Sequence, residues 1–95
     1  MITHEEMKKE VYIWAEKIKV KPVQVHIRQM KSKWASCSSR GRITLNKDIL
    51  KEPRQFLKQV VVHELLHLKY PNHGKMFKVL MRAYLGTSSN KREGV

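Results

Sequence analysis

Val62-His63-Glu64-Leu65-Leu66-His67 lies inside an apolar, helix-forming run that extends from Gln59 to Leu68. On an α-helix, His63 and His67 project from one face about one turn apart. That separation suits two nitrogen ligands on a single tetrahedral zinc ion. Glu64 is rotated by roughly 100° from His63, too far round to ligate easily but near enough to hold a water on the metal. Zinc lowers the pKa of such a water towards ~7, and a carboxylate beside it takes the proton as the water attacks a carbonyl. This is the HExxH spacing of zinc-dependent peptidase sites. A solvated helix face or a purely structural site would not need an ionised Glu64 within an apolar run, where burial is costly without a partner or a role.

A catalytic zinc takes three protein ligands and leaves one position open. His73 is the first candidate for the third ligand. Tyr70-Pro71-Asn72 breaks the helix after Lys69, and Asn72 suits the N-cap of a new one, so a chain reversal would return His73 to the metal. The spacing from His63 through His67 to His73 equals that of the metzincins, although Tyr70 stands where they have glycine and no Met-turn is evident. The alternative is a downstream acid. No Asp or Glu occurs between Glu64 and Glu93, so Glu93 is the one competing ligand.

Four blocks occur in order: Lys31-Ser32-Lys33-Trp34-Ala35-Ser36-Cys37-Ser38, Ile43-Thr44-Leu45-Asn46, His63-Glu64-Leu65-Leu66-His67 and Asn72-His73-Gly74-Lys75-Met76-Phe77. In this order they resemble the minigluzincins, very small zinc metallopeptidases related to the catalytic domains of HtpX-type and CAAX-prenyl-protease membrane peptidases. The resemblance runs from about Val23 to Leu85. It implies a histidine third ligand at His73 and a general base at Glu64. It also implies a substrate-binding edge at the Trp34–Cys37 segment. SprT-like proteases, which act on DNA-bound proteins, have a similar pattern and are the nearest competitor.

Composition narrows the remaining classes. A chain of 95 residues is expected to form a single domain with one modest core. The N-terminus has no signal-peptide pattern, and no apolar run is long enough to span a bilayer; a soluble, cytoplasmic protein is expected. Cys37 is the single cysteine and forms no internal disulfide, which fits a reducing compartment. Its expected role is a small residue in a tight turn rather than a nucleophile. Twenty Lys and Arg against eight acids give a net charge of +12. That charge raises non-specific, salt-sensitive binding to nucleic acid whatever the function. The bases form no dense block, which leaves a basic nucleic-acid module with a structural zinc as a lesser alternative. Monomer and dimer are both open.

The organisation expected is α+β: an N-terminal helix, a three-stranded antiparallel sheet, the HExxH helix and a C-terminal helix. Thr3-His4-Glu5-Glu6 is a capping box, and Met7, Val11, Trp14, Ala15 and Ile18 recur at helical spacing, predicting a helix from about His4 to Lys19. Val23, Val25 and Ile27 alternate as a half-buried strand does. Lys33 to Cys37 and Arg42 to Leu45 are the other two strands, joined by a turn at Ser38-Ser39-Arg40-Gly41. Pro53 suits the first turn of the HExxH helix, expected from about Pro53 to Lys69. The last helix is expected to begin near His73, with Met76, Phe77, Leu80, Met81 and Tyr84 facing inward.

Zincins commonly hold a peptide in extended form as an added strand on an exposed sheet edge, so peptides or unfolded proteins are the expected substrates. Tyr70 and Tyr84 are candidates for stabilising the oxyanion. His4 and His26 fall outside any ligand spacing. Residues 86–95 have no core pattern and read as a flexible or cleft-blocking tail. Glu93 or the Val95 carboxylate would displace the catalytic water, giving the zymogen-like latency that the resemblance to minigluzincins implies.

Overall fold

Helix α1 (His4–Ile18) begins on the capping box expected of it. In this computed structural model, which describes residues 2–86, the Glu6 N–H donates to Thr3 Oγ1 and the Thr3 N–H to Glu6 Oε1. Two otherwise orphaned donors are thereby satisfied. Lys19 closes the helix in the left-handed conformation, its N–H on the Ala15 carbonyl. Met7, Val11, Trp14, Ala15 and Ile18 are all buried, so the 3.6-residue spacing located the inner face correctly. Tyr12 is exposed, and the Trp14 ring is edge-on to Tyr84 with the Lys17 and Lys58 ammonium groups over it.

The three strands are β1 (Gln24–Arg28), β2 (Ala35–Cys37) and β3 (Arg42–Asn46). The sheet is mixed rather than antiparallel. Its order is β1-β3-β2, with β1 parallel to β3 and β2 antiparallel to β3. Apolar alternation specifies which face of a strand is buried but says nothing of its neighbour or direction. Here β3 takes the centre, with Ile43 and Leu45 almost wholly buried. The chain leaves β1 at Arg28, opposite Asn46, crosses the end of β3 and returns as β2 from Ala35, opposite Leu45. Val25 is buried, whereas Val23 lies outside the strand and is 76% exposed.

Asn46 pins that crossing. It is only 5% exposed, and its Nδ2 donates to the carbonyls of Met30 and Lys33 at 3.1 and 2.8 Å. Its own N–H donates to the Trp34 carbonyl, and its Oδ1 accepts from the Asp48 N–H to start a 3-10 turn, Lys47–Lys51. That turn, which no periodicity announced, buries Ile49. At the far end of the β2–β3 hairpin, Gly41 has φ +94°, and a Cβ there would come within 3.1 Å of Val23 Cγ2. Only glycine suits both constraints.

Helix α2 (Arg54–Lys69) starts one residue later than expected, because Pro53 is its N-cap rather than its first residue. Phe56, Leu57, Val60, Val61, Val62, Leu65 and Leu66 are buried against α1, β2 and helix α3 (Lys75–Leu85). The Arg54 guanidinium donates to Glu6 and ties the starts of α1 and α2 together. Both groups are well exposed, so the pair contributes little. Helix α3 begins near His73 as expected, at Lys75, but Gly74 rather than Asn72 is its N-cap. Phe77 and Leu85 are buried and Leu80, Met81 and Tyr84 half-buried, but Met76 is 54% exposed and not part of the inner face. No helix among the described residues is long and apolar enough to cross a membrane. Residues 87–95, with the expected tail contacts of Glu93 and Val95, lie outside the described residues.

Met7 has no exposed surface. Met7→Ala is expected to lower unfolding stability by about 2–5 kcal/mol through cavity formation, whereas Val23→Ala should change it by less than about 0.5 kcal/mol. Urea unfolding of the two variants measures the contrast.

Candidate active site

Two walls enclose a cleft of about 600 Å³. One is the continuous segment from Ser32 to Ser39, which contains β2; the other is the C-terminal half of α2 and the residues after it, including His63, Glu64, His67, Pro71 and His73. The first wall is held at both ends. Asn46 fixes the backbone before β2, and the Trp34 ring packs edge-on against Phe56 in the first turn of α2, centroids 4.8 Å apart. Such a pair contributes about 0.5–1.5 kcal/mol beyond its buried area. At the other end, Ser38 accepts at its carbonyl from Gly41 and at its Oγ from Arg42.

His63, His67 and His73 converge. One potential ligand atom from each lies within 4.8 Å of the others, and they form a three-residue group of metal-ligating type. His63 and His67 are half-buried and come from one helix face; His73 is exposed and comes from the bend between α2 and α3. The reversal expected at Tyr70-Pro71-Asn72 therefore brings His73 back, although it does so before the next helix begins. His67 Nε2 and His73 Nε2 are 2.8 Å apart, close enough for one ring to donate to the other.

Phe77 supports the three rings. It is 4% exposed, and its centroid lies 5.3, 4.8 and 4.7 Å from those of His63, His67 and His73. The spacing in sequence had assigned Phe77 only to a core face. Its additional place beneath the imidazoles depends on the angle between α2 and α3, for which the sequence carries no direct signal.

Glu64 is 6% exposed. Its Oε2 lies 3.0 Å from His63 Nδ1. When Nδ1 carries the proton, His63 donates to the carboxylate and keeps its Nε2 lone pair free. Burial and the neighbouring His63 hold the His67 pKa below the ordinary histidine value, against the opposing effects of Glu64 and a hydrogen bond to the Pro71 carbonyl. A neutral imidazole is the form that ligates a metal. Three imidazole nitrogen donors beside one buried carboxylate fit a borderline-soft divalent ion such as zinc.

The cleft does not contain every candidate. Neither Tyr70 nor Tyr84 lines it; Tyr84 is packed on Trp14 and Tyr70 terminates α2. His4 opens α1 and His26 lies on β1, away from the ligand group. Cys37 ends β2, lines the cleft and donates its thiol to the Ser38 carbonyl at the start of the following turn. Burial, with a smaller contribution from the Glu64 charge, pushes its thiol up to about 11. Because the thiolate is the reactive form, alkylation of the metal-free protein by iodoacetamide at neutral pH should be about 100-fold slower than that of a thiol at the ordinary value. Mass spectrometry of quenched time points gives the rate.

The metallopeptidase zymogen jannalysin of Methanocaldococcus jannaschii superimposes with a TM-score of 0.77 at 27% identity, over 87% of this chain and 85% of that one. The metallopeptidase zymogen abylysin of Pyrococcus abyssi gives a TM-score of 0.76 at 22% identity, over 87% and 83% of the two chains; at that identity the likeness is one of fold. No curated protein sequence matches. The family model for YgjP-like metallopeptidase domains matches residues 2–94. With its three-stranded sheet, its three helices and a match over nearly its whole length, the chain belongs to the YgjP-like metallopeptidase domain family.

Proposed function

We propose that this metallopeptidase is a zinc-dependent endopeptidase in which His63, His67 and His73 hold the metal and Glu64 moves the protons. The observation that carries the reading is the convergence of three imidazoles beside one buried carboxylate. Bound zinc would polarise the scissile carbonyl and acidify a water beside Glu64. Glu64 accepts a proton from the attacking water and returns it to the leaving amine. His63 orients that carboxylate through the Nδ1–Oε2 contact. Its burial keeps competing water from the proton path.

The substrate enters as an extended chain along β2. This strand is at an edge of the sheet, and Ala35, Ser36 and Cys37 line the cleft. Main-chain hydrogen bonds to the free edge give affinity with little regard to side chains. The family match over residues 2–94 supports treating the chain as a single catalytic unit.

Glu64→Gln is expected to retain zinc at unchanged stoichiometry and to lose about 10²–10⁴-fold in turnover. His73→Ala should weaken zinc binding by more than the roughly 10–100-fold typical of losing an outer partner. Competition against a chromogenic chelator and cleavage of a quenched fluorescent peptide measure the two effects. Full activity in Glu64→Gln would sink the assignment.

The relatives described as zymogens support a second element of the reading, a latent state imposed by residues 86–95. Removing residues 87–95 should then raise turnover on the same peptide. Unchanged turnover would remove the latency.

A further inference from the structure

Resting on the peptidase reading, we propose that the cleft selects peptide segments carrying Asp or Glu within a few residues of the scissile bond. The basis is an uneven distribution of charge along the chain. Between Glu16 and Asp48 there is no acid, while from β1 onward that span holds Arg28, Lys31, Lys33, Arg40, Arg42 and Lys47. Between Glu64 and Glu93 there is again no acid. These two spans supply the walls of the cleft.

Among the described residues lining the cleft Glu64 is the sole carboxylate, and it is buried against His63. Lys33 lines the cleft, with Lys31 one residue before its first lining residue and Arg40 one residue after Ser39. All three bases are exposed. None has a carboxylate partner among the described residues. The other described acids lie on α1 or in and just after the 3-10 turn, where Glu6 pairs with Arg54, Glu10 accepts from Trp14 and Asp48 accepts from Gln29.

A concave site whose exposed charge is of one sign concentrates ligands of the opposite sign, and here Lys33 is exposed while Glu64 is buried. An extended peptide on β2 alternates its side chains, so its acidic side chains reach towards Lys31, Lys33 and Arg40 while its backbone occupies the strand edge. Nucleic acid fits less well. A cleft of about 600 Å³ does not admit a duplex. Its one aromatic wall residue other than histidine, Trp34, is half-buried against Phe56 rather than displayed for base stacking.

The test uses three fluorescent peptides of one sequence, with Glu, Gln or Lys at the positions flanking a central dipeptide. Binding to the zinc-loaded Glu64→Gln protein is read by anisotropy, and cleavage by the wild-type protein is read separately. The Glu peptide should bind about 10-fold tighter than the Gln peptide at about 50 mM salt, and the Lys peptide weakest, with the differences shrinking by about 300 mM. Lys31→Glu/Lys33→Glu should abolish or reverse that order. Lys8→Glu/Lys9→Glu, an equal charge change on exposed positions of α1, should preserve it.

Equal binding of the three peptides would overturn the proposal, and so would an equal loss in the α1 control, which would assign the preference to net charge alone. Tighter binding of duplex DNA than of the Glu peptide, with DNA-stimulated cleavage of all three, would assign the basic rim to nucleic acid and overturn it too. Charge-ordered binding without cleavage of any peptide, either by the wild-type chain or by the chain lacking residues 87–95, would remove the peptidase reading and leave the charge selection standing. Cleavage indifferent to charge would do the reverse.

Discussion

Helix α2 is packed on three sides, against α1, α3 and β2, and that burial constrains everything else. Its apolar residues occupy most of the circumference, leaving one face for polar groups. His63, Glu64 and His67 occupy that face, where β2 stops short of covering the helix and the cleft opens. A buried carboxylate is tolerated in such a helix only with a partner, and His63 provides one at 3.0 Å. The same core packing that stabilises the fold therefore also fixes the position of the Glu64 carboxylate.

The opposite wall has a different basis. β2 is only three residues long and could not hold its position by strand pairing alone. Asn46 supplies what is missing. One buried amide and its backbone N–H bind three carbonyls of the connection from β1 to β2, while the amide oxygen starts the 3-10 turn that leads towards α2. Removing such a side chain would leave the part-buried Met30 and Lys33 carbonyls without these donors, at a cost in stability. Trp34 against Phe56 adds an apolar contact at the same place. The cleft is thus formed between a rigid helix and a short strand held from behind.

The electrostatics follow from this division. Acids concentrate on α1 and around the 3-10 turn, where several are engaged by neighbouring side chains. Among the described residues, the cleft walls carry Lys33 and three histidines, with Glu64 as their one carboxylate. Burial raises the Cys37 pKa, and the Glu64 charge adds a smaller effect in the same direction. Cys37 at neutral pH is therefore a protonated wall residue rather than a nucleophile.

Several features are determined by the sequence alone because they depend on short-range periodicity. The inner face of α1, the HExxH pair on one helix face, the turn at Gly41 and the chain break after Lys69 each follow from spacing or backbone preference within a few residues. Tertiary structure decided the rest. The direction of β1 was not legible, since alternation encodes a face and not a partner. The 3-10 turn, Pro53 as a cap and Gly74 rather than Asn72 as the cap of α3 depend on hydrogen bonds to distant backbone groups or on local competition between caps. Phe77 beneath the histidines and Asn46 behind β2 involve residues between 4 and 16 positions from their partners. Their roles arise only when helices and strands pack at particular angles, and no local pattern records those angles.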